Sequence, residues 1–271
     1  MERFSITHAQ WVPAILSDLL KENQTHSIPK GRLKMVGYGA SPIAPSLLKA
    51  CLDTFGCEFT QVYGLTESIA PLTHLPPSAH HNPDPKKNQA TGIACPGVEL
   101  KIVDGGGNAL PPGETGEILA RLPSSPAIIW SDDGERAPVA DENGWLHTGD
   151  VGHVDPEGFL TVTDRLKDMI ITGGENVYPV EVEKILAGLP GVAEAAVFAI
   201  PDEKWGERVA AAIVPTPGTT FDAEALRQLC RQKLAHYKCP TSLFEAEALP
   251  RNATGKVLRR ELRGMLVGSG D

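Results

Sequence analysis

The sequence predicts an α/β unit followed by a smaller α+β unit. Three observations carry that expectation: a strand–helix–strand pattern over 33–63, short strands and turns over 92–163, and mixed helices and strands beyond 165. The length agrees, since 271 residues at ~150 per domain make about two domains. We place the division within Asp164–Lys167, giving units over 1–164 and 165–271.

Leu33–Tyr38 is short and apolar enough for a buried strand. Pro45 then opens a run in which Leu47, Leu48, Cys51, Leu52 and Phe55 share one helical face, and Gly56 closes it. Cys57–Tyr63, rich in aromatic and β-branched residues, is a second strand. A βαβ unit of this length predicts parallel strands and a right-handed crossover. Open α/β sheets bind ligands at the carboxyl ends of such strands. Those ends carry Gly37-Tyr38-Gly39-Ala40-Ser41-Pro42 and Tyr63-Gly64-Leu65-Thr66-Glu67-Ser68, two small-residue loops that converge on one crevice.

Residues 75–91 are Pro-, His- and Asn-rich without periodicity and read as loop. His80 and His81, with His74 nearby, read as solvated there, because chelation needs ligands fixed on a regular element. From 92 to 163, alternation at Val98, Leu100 and Ile102, a strand at Ile118–Leu122 and a turn at Asp155-Pro156-Glu157-Gly158 predict a small antiparallel β subdomain. In the second unit, Val182, Ile185, Leu186 and Leu189 follow Pro179 at helical spacing. Ala195–Ile200 and Arg208–Val214 read as strands. Asp222 caps a helix carrying Leu226, Leu229, Cys230 and Leu234, which must end before Pro240. Leu243–Leu249 reads as a strand and Val257–Leu266 as a short basic helix.

Composition narrows the function classes. Acidic residues number 34 and basic ones 25, a formal net charge of −9, so the basic footprint of a general nucleic-acid or anionic-membrane binder is missing. Hydrophobic residues at 41% and charged residues at 22% describe a folded chain. No stretch approaches ~18 uncharged apolar residues and the start lacks a signal-peptide core, so a cytoplasmic protein without an integral membrane segment is expected. The five cysteines are odd in number and lack CxxC spacing, which argues against a disulfide framework or a zinc ribbon.

Five motifs occur in order: Tyr63-Gly64-Leu65-Thr66-Glu67, Gly144-Trp145-Leu146-His147-Thr148-Gly149-Asp150, Asp164-Arg165-Leu166-Lys167-Asp168, Gly173-Gly174-Glu175-Asn176, and Pro250-Arg251-Asn252-Ala253-Thr254-Gly255-Lys256. Each alone is weak; together, at this spacing, they are specific. The sequence resembles the carboxyl-terminal half of the adenylate-forming (AMP-binding) superfamily, and within it the acyl-CoA synthetases that act on fatty or aryl acids. The resemblance runs from Met1 to about Arg263. It implies part of a large AMP-binding domain over 1–164 and a small mobile α+β domain over 165–271. The family's Ser/Thr/Gly-rich phosphate loop has no counterpart in these residues, so the chain reads as a portion of a longer protein, with an amino-terminal half missing.

The implied reaction joins a carboxylic acid to AMP with Mg-ATP, then transfers the acyl group to coenzyme A. For that chemistry the resemblance assigns Thr66, Glu67 and Lys256 as catalytic, with Glu67 as a hard oxygen ligand for Mg²⁺. Gly39, Ala40, Tyr63, Gly64, Asp150, Val162 and Arg165 fall at nucleotide-binding positions. Small residues at Gly39 and Ala40 let backbone approach a flat ring, Tyr63 can stack on adenine, and Asp150 can accept from ribose hydroxyls. Lys167 takes the hinge position between the domains, and Gly173 and Gly174 the place where the thiol arm of coenzyme A passes. Two alternatives stay open: an adenylation domain serving a carrier protein, and a non-catalytic AMP- or partner-binding fragment.

Overall fold

A computed structural model describes residues 4–23, 31–41, 43–82, 84–123, 128–130, 136–252 and 255–267. Pro42 of the first loop and Ala253-Thr254 of the last motif lie outside the described residues. The chain divides into two compact units, Met1–Val162 and Thr163–Asp271.

In the first unit, Val36 and Tyr38 are fully buried two residues apart, so both leave the strand Met35–Gly39 on one face. The helix Pro45–Phe55 brings Leu48, Cys51 and Phe55 onto that face, and Phe59 of the strand Glu58–Tyr63 joins the same cluster. Burying each such large side chain contributes roughly 1.5–3 kcal/mol. Gly56 ends the helix in the left-handed conformation, φ 58°, with its N–H donating to the Leu52 carbonyl. The two strands pair in parallel, Val36 opposite Phe59. An unanticipated third parallel strand, His8–Trp11, pairs along the other side of Met35–Gly39. Its helix, Pro13–Asn23, adds Leu16 to the cluster.

The antiparallel pairing expected beyond residue 92 is present: Glu99–Val103 pairs with Gly116–Arg121, which pairs with Leu146–Val154. These strands do not form a separate sheet. The three-residue strands Thr73–Leu75 and Gly92–Ala94 splice them to the parallel part, the latter pairing with Phe159–Arg165. One nine-stranded sheet results. Strands that short cannot display an alternating pattern.

The reading of 75–91 as loop also fails. Pro77–His80 and Pro85–Asn88 each make one helical turn, too brief for a 3.6-residue period to show. His80 is 6% exposed rather than solvated. Its Nδ1–H donates to the Pro76 carbonyl at 3.0 Å, and its Nε2 lies 3.1 Å from the Tyr38 hydroxyl, whose one proton also faces Gln61 Oε1 at 3.1 Å.

The second unit is built on the long antiparallel pair Val192–Asp202 and Gly206–Pro215. Alternation sends Val197, Val209, Ala211 and Ile213 to one face, where Val182 and Leu186 of helix Pro179–Ala187 and Leu226 and Cys230 of helix Ala223–Arg231 cover them. Ala196, Phe198, Ile200, Ala210 and Ala212 go to the other face, under Leu262 of helix Arg259–Val267. Asp222 caps its helix as expected, its Oδ1 accepting from the Glu224 and Ala225 amides at 3.0 Å. That helix stops at Arg231, and Leu234 packs on the core from the turn beyond. The last strand is Ser242–Glu245, shorter than expected, and pairs in parallel with Gly206–Pro215. The final helix starts at Arg259 rather than Val257, because Val257 is held in a bridge to Arg251. No described helix is long and apolar enough to cross a membrane.

Candidate active site

The loops at the ends of Met35–Gly39 and Glu58–Tyr63 stand side by side, because Gly39 pairs with Val62 in the parallel register. A Cβ on Gly39 would lie 2.4 Å from the Val62 carbonyl oxygen, so the sheet itself demands glycine there. Ala40 follows with φ +67°, a left-handed conformation uncommon for a residue with a side chain and one that turns the chain sharply off the strand.

After Tyr63 the chain folds back tightly. A Cβ on Gly64 would sit 2.9 Å from the Ala70 carbonyl oxygen. Buried Ser68 organises the turn: its Oγ accepts from the Leu65 amide at 3.0 Å and lies 2.8 and 2.7 Å from the Leu65 and Ala70 carbonyl oxygens, its one proton serving one at a time. Thr66 and Glu67 are thereby left exposed on the outside of the turn. Ser68 belongs to the quoted loop but has no assigned part, because its hydroxyl faces inward.

Asp150 reaches the same place from the far part of the sheet. Its strand slips register against Gly116–Arg121 between His147 and Val151, a bulge that contains Thr148 and Gly149. Gly149 has φ +66°, Thr148 Oγ1 donates to the Ile118 carbonyl at 2.7 Å, and the Asp150 amide donates to Thr148 Oγ1 at 3.1 Å. A bulge re-aims the side chain that follows it. Here that side chain is Asp150, 3% exposed, whose Oδ2 accepts from the Tyr63 hydroxyl at 2.7 Å. Three strands separate the two in sheet order, ~19 Å on a flat sheet, so the sheet curls to bring them together. Tyr63 and Val162 pack on one cluster with Ile102, Ile118 and Leu160, and the Val162 amide donates to Thr91 Oγ1 at 3.0 Å. Gly39, Ala40, Tyr63, Gly64, Thr66, Glu67, Asp150 and Val162 all belong to this unit. Thr148 is absent from the sequence assignment; its motif position beside Asp150 is the one signal that pointed to it.

Arg165, Lys167, Gly173, Gly174 and Lys256 belong to the second unit. Lys167 is the middle residue of a single 3₁₀ turn, Leu166–Asp168, preceded by Arg165 in the strand. Just before it, buried Asp164 accepts from the Arg165 amide at 2.7 Å and the Val180 amide at 2.9 Å. Burial pushes the Asp164 carboxyl above the usual carboxylate range, against those hydrogen bonds. Gly173 and Gly174 form the two-residue turn of an unanticipated hairpin, Ile170–Thr172 with Glu175–Val177, and both have positive φ as a tight hairpin turn requires. The Gly173 amide donates to the Trp205 carbonyl at 2.9 Å, and a Cβ there would strike the Trp205 ring at 2.7 Å. Exposed Lys256 sits on the turn closed by the Arg251–Val257 bridge. Its amide donates to Asn252 Oδ1 and its carbonyl accepts from the Asn252 amide, both at 2.9 Å, while Arg251 donates to the Gly255 carbonyl at 2.8 Å.

Strand-end loops facing a bulged aspartate, followed by a compact α+β unit, describe a class that family comparison makes definite. The model for AMP-binding enzymes matches residues 1–126, and that for the AMP-binding enzyme C-terminal domain matches 181–256. The chain belongs to the adenylate-forming family of AMP-binding enzymes. It is similar to a fatty acid–[acyl-carrier-protein] ligase, ScoC, of Streptomyces coeruleorubidus, with 43% identity over 97% of this chain and 50% of that protein. It is also similar to the indoleacetate–CoA ligase of Aromatoleum aromaticum, with 38% identity over 98% and 51%. Among solved structures, the o-succinylbenzoate CoA synthetase of Bacillus subtilis in complex with its acyl-adenylate intermediate matches with TM-score 0.79 and 36% identity, over 97% of this chain and 52% of that one. The chain spans about half the length of the curated relatives it matches.

Proposed function

We propose that the chain is part of an AMP-forming acid–thiol ligase for a fatty or aryl carboxylic acid, using Mg-ATP and coenzyme A. One observation carries this reading: the Tyr63 hydroxyl on Asp150 Oδ2 at 2.7 Å, which ties a strand-end aromatic ring to a buried carboxylate. A carboxylate offers about four lone-pair positions. Asp150 accepts from the ribose hydroxyls of AMP while the Tyr63 ring covers the adenine from the side opposite Gly39–Ala40.

In the first step the acid's carboxylate oxygen attacks the α-phosphorus of ATP, the bond to pyrophosphate breaks, and an acyl-adenylate forms. Lys256 neutralises the charge developing between carboxylate and phosphate, a stabilisation strongest where water is excluded. Thr66 and Glu67, exposed beside the nucleotide, face the phosphates. Among the described residues no group of three or more His, Cys, Asp or Glu could hold a metal. Glu67 suits Mg²⁺ all the same, since that ion takes one or two carboxylates and completes its shell with phosphate oxygens and water. In the second step the thiol sulfur attacks the acyl carbon and AMP departs with the electron pair. The Gly173–Gly174 turn admits the thiol arm, Arg165 supports the nucleotide, and Lys167 takes up the backbone change between steps.

A second reading has its own support: the relative at 43% identity is a ligase for acyl-carrier protein. Offering coenzyme A and a phosphopantetheinyl carrier in parallel to the ligase distinguishes the two acceptors. The nucleotide assignment is tested on this chain by titrating AMP into wild type and Asp150→Ala in a calorimeter. The variant should bind ~1–3 kcal/mol more weakly, the cost of hydrogen bonds lost to a charged group. Equal affinities would remove Asp150 from the nucleotide site.

A further inference from the structure

Arg259 opens the final helix three residues after Lys256, and Arg260 follows it. Positive charge at a helix amino terminus opposes the helix dipole, so something other than helix stability holds Arg259 there. Its side chain is three-quarters buried, and its guanidinium spends its donors on three separate elements. Nε donates to the Val197 carbonyl at 3.0 Å, in the strand Val192–Asp202. Nη2 donates to both oxygens of Glu183 at 2.9 and 3.1 Å, and Glu183 Oε1 in turn accepts from the Val197 amide at 2.8 Å. Nη1 donates to Asp168 Oδ2 at 3.3 Å, the last residue of the turn that carries Lys167. Only the planar fork of arginine reaches three acceptors in such different directions.

We propose that Arg259 is a positioning residue that fastens the entry turn Leu166–Asp168 to the segment bearing Lys256, so that turn and lysine hold their places together. The importance given to Lys256 and Lys167 rests on the ligase reading above; the mechanical link does not. Toward Lys256 it runs through three residues, Val257, Leu258 and Arg259, with the Leu258 amide donating to the Pro250 carbonyl at 2.8 Å. Toward the turn its hydrogen bond runs to Asp168, and the nearby carboxylate of Asp164, held by the Val180 amide, adds attraction for the same guanidinium.

Hydrogen exchange on the 271-residue chain, without nucleotide, reads this link directly. Arg259→Gln would leave Glu183 buried without its counter-charge and is a poor first test, since it destabilises the whole unit. Asp168→Asn takes the charge from the turn's side of the contact and leaves the Glu183 pair whole. In Asp168→Asn the Met169 amide, which donates to Leu166, and the Lys256 amide should both exchange at least about tenfold faster. The core amides of Val197 and Ala211 should keep their protection. Asp168→Glu, which retains the charge, should restore most of it. Faster exchange at Met169 with Lys256 unchanged would overturn the coupling, and no change at either would overturn the role of Arg259. A uniform loss across the unit would reduce the contact to ordinary structural support. Failure of AMP to distinguish Asp150→Ala would sink the ligase reading and leave these outcomes standing.

Discussion

At Gly173 a single methyl group would meet the Trp205 ring at 2.7 Å, in a backbone already at φ +60°. Gly173→Ala should therefore cost about 1 kcal/mol or more, read as a lowered thermal midpoint. His80 gives the molecule a pH dependence. Burial, the largest cause, and neighbouring His81 hold its pKa below the ordinary 6.5, while the Pro76 carbonyl and Glu58 pull the other way. The unfolded chain then binds a proton that the folded one resists. This contribution is fully present above pH 6.5 and is lost as pH falls below it. Urea midpoints between pH 7.5 and 5.5 should drop more in wild type than in His80→Gln, and equal slopes would refute the account. Asp150 and Lys256 were visible in the sequence as motif members. The Tyr63 partner of Asp150 was not, because a hydrogen bond between residues 87 positions apart leaves no local pattern.

Among the elements, helix Ala223–Arg231 was readable at its start, since Asp222 carries the capping chemistry in one residue. Asp222→Ala should remove two amide partners and destabilise the second unit by ~0.5–2 kcal/mol in denaturant melts, with little loss if the cap were incidental. Its end was misread, because Leu234 continues the apolar spacing although the chain has already left the helix. Thr73–Leu75 and Gly92–Ala94 stayed hidden for a different reason. Three residues hold no periodicity, and their place is set by the strands on either side. The Thr148-Gly149 bulge was equally silent: a register slip is a relation between two strands, while the sequence describes one at a time.

For the molecule as a whole, the two units differ in how self-sufficient they are. The second has apolar clusters on both faces of its sheet, each covered by its own helices. Residues 163–267 expressed alone should show a cooperative thermal transition by circular dichroism, and a featureless melt would contradict this. The first unit is held by more distant pairings, and that has a consequence for how the molecule comes to be native. Val192–Asp202 and Gly206–Pro215 meet across a three-residue turn, whereas Leu160 must find Gly92 and Tyr63 must find Asp150. Closing those long loops costs chain entropy before any contact repays it. During refolding, the amides of Val197 and Ala211 should escape a labelling pulse earlier than those of Ile118 and Leu160. The later of the two units in the sequence is then the first to finish folding, and the contact between Tyr63 and Asp150 is among the last the molecule makes.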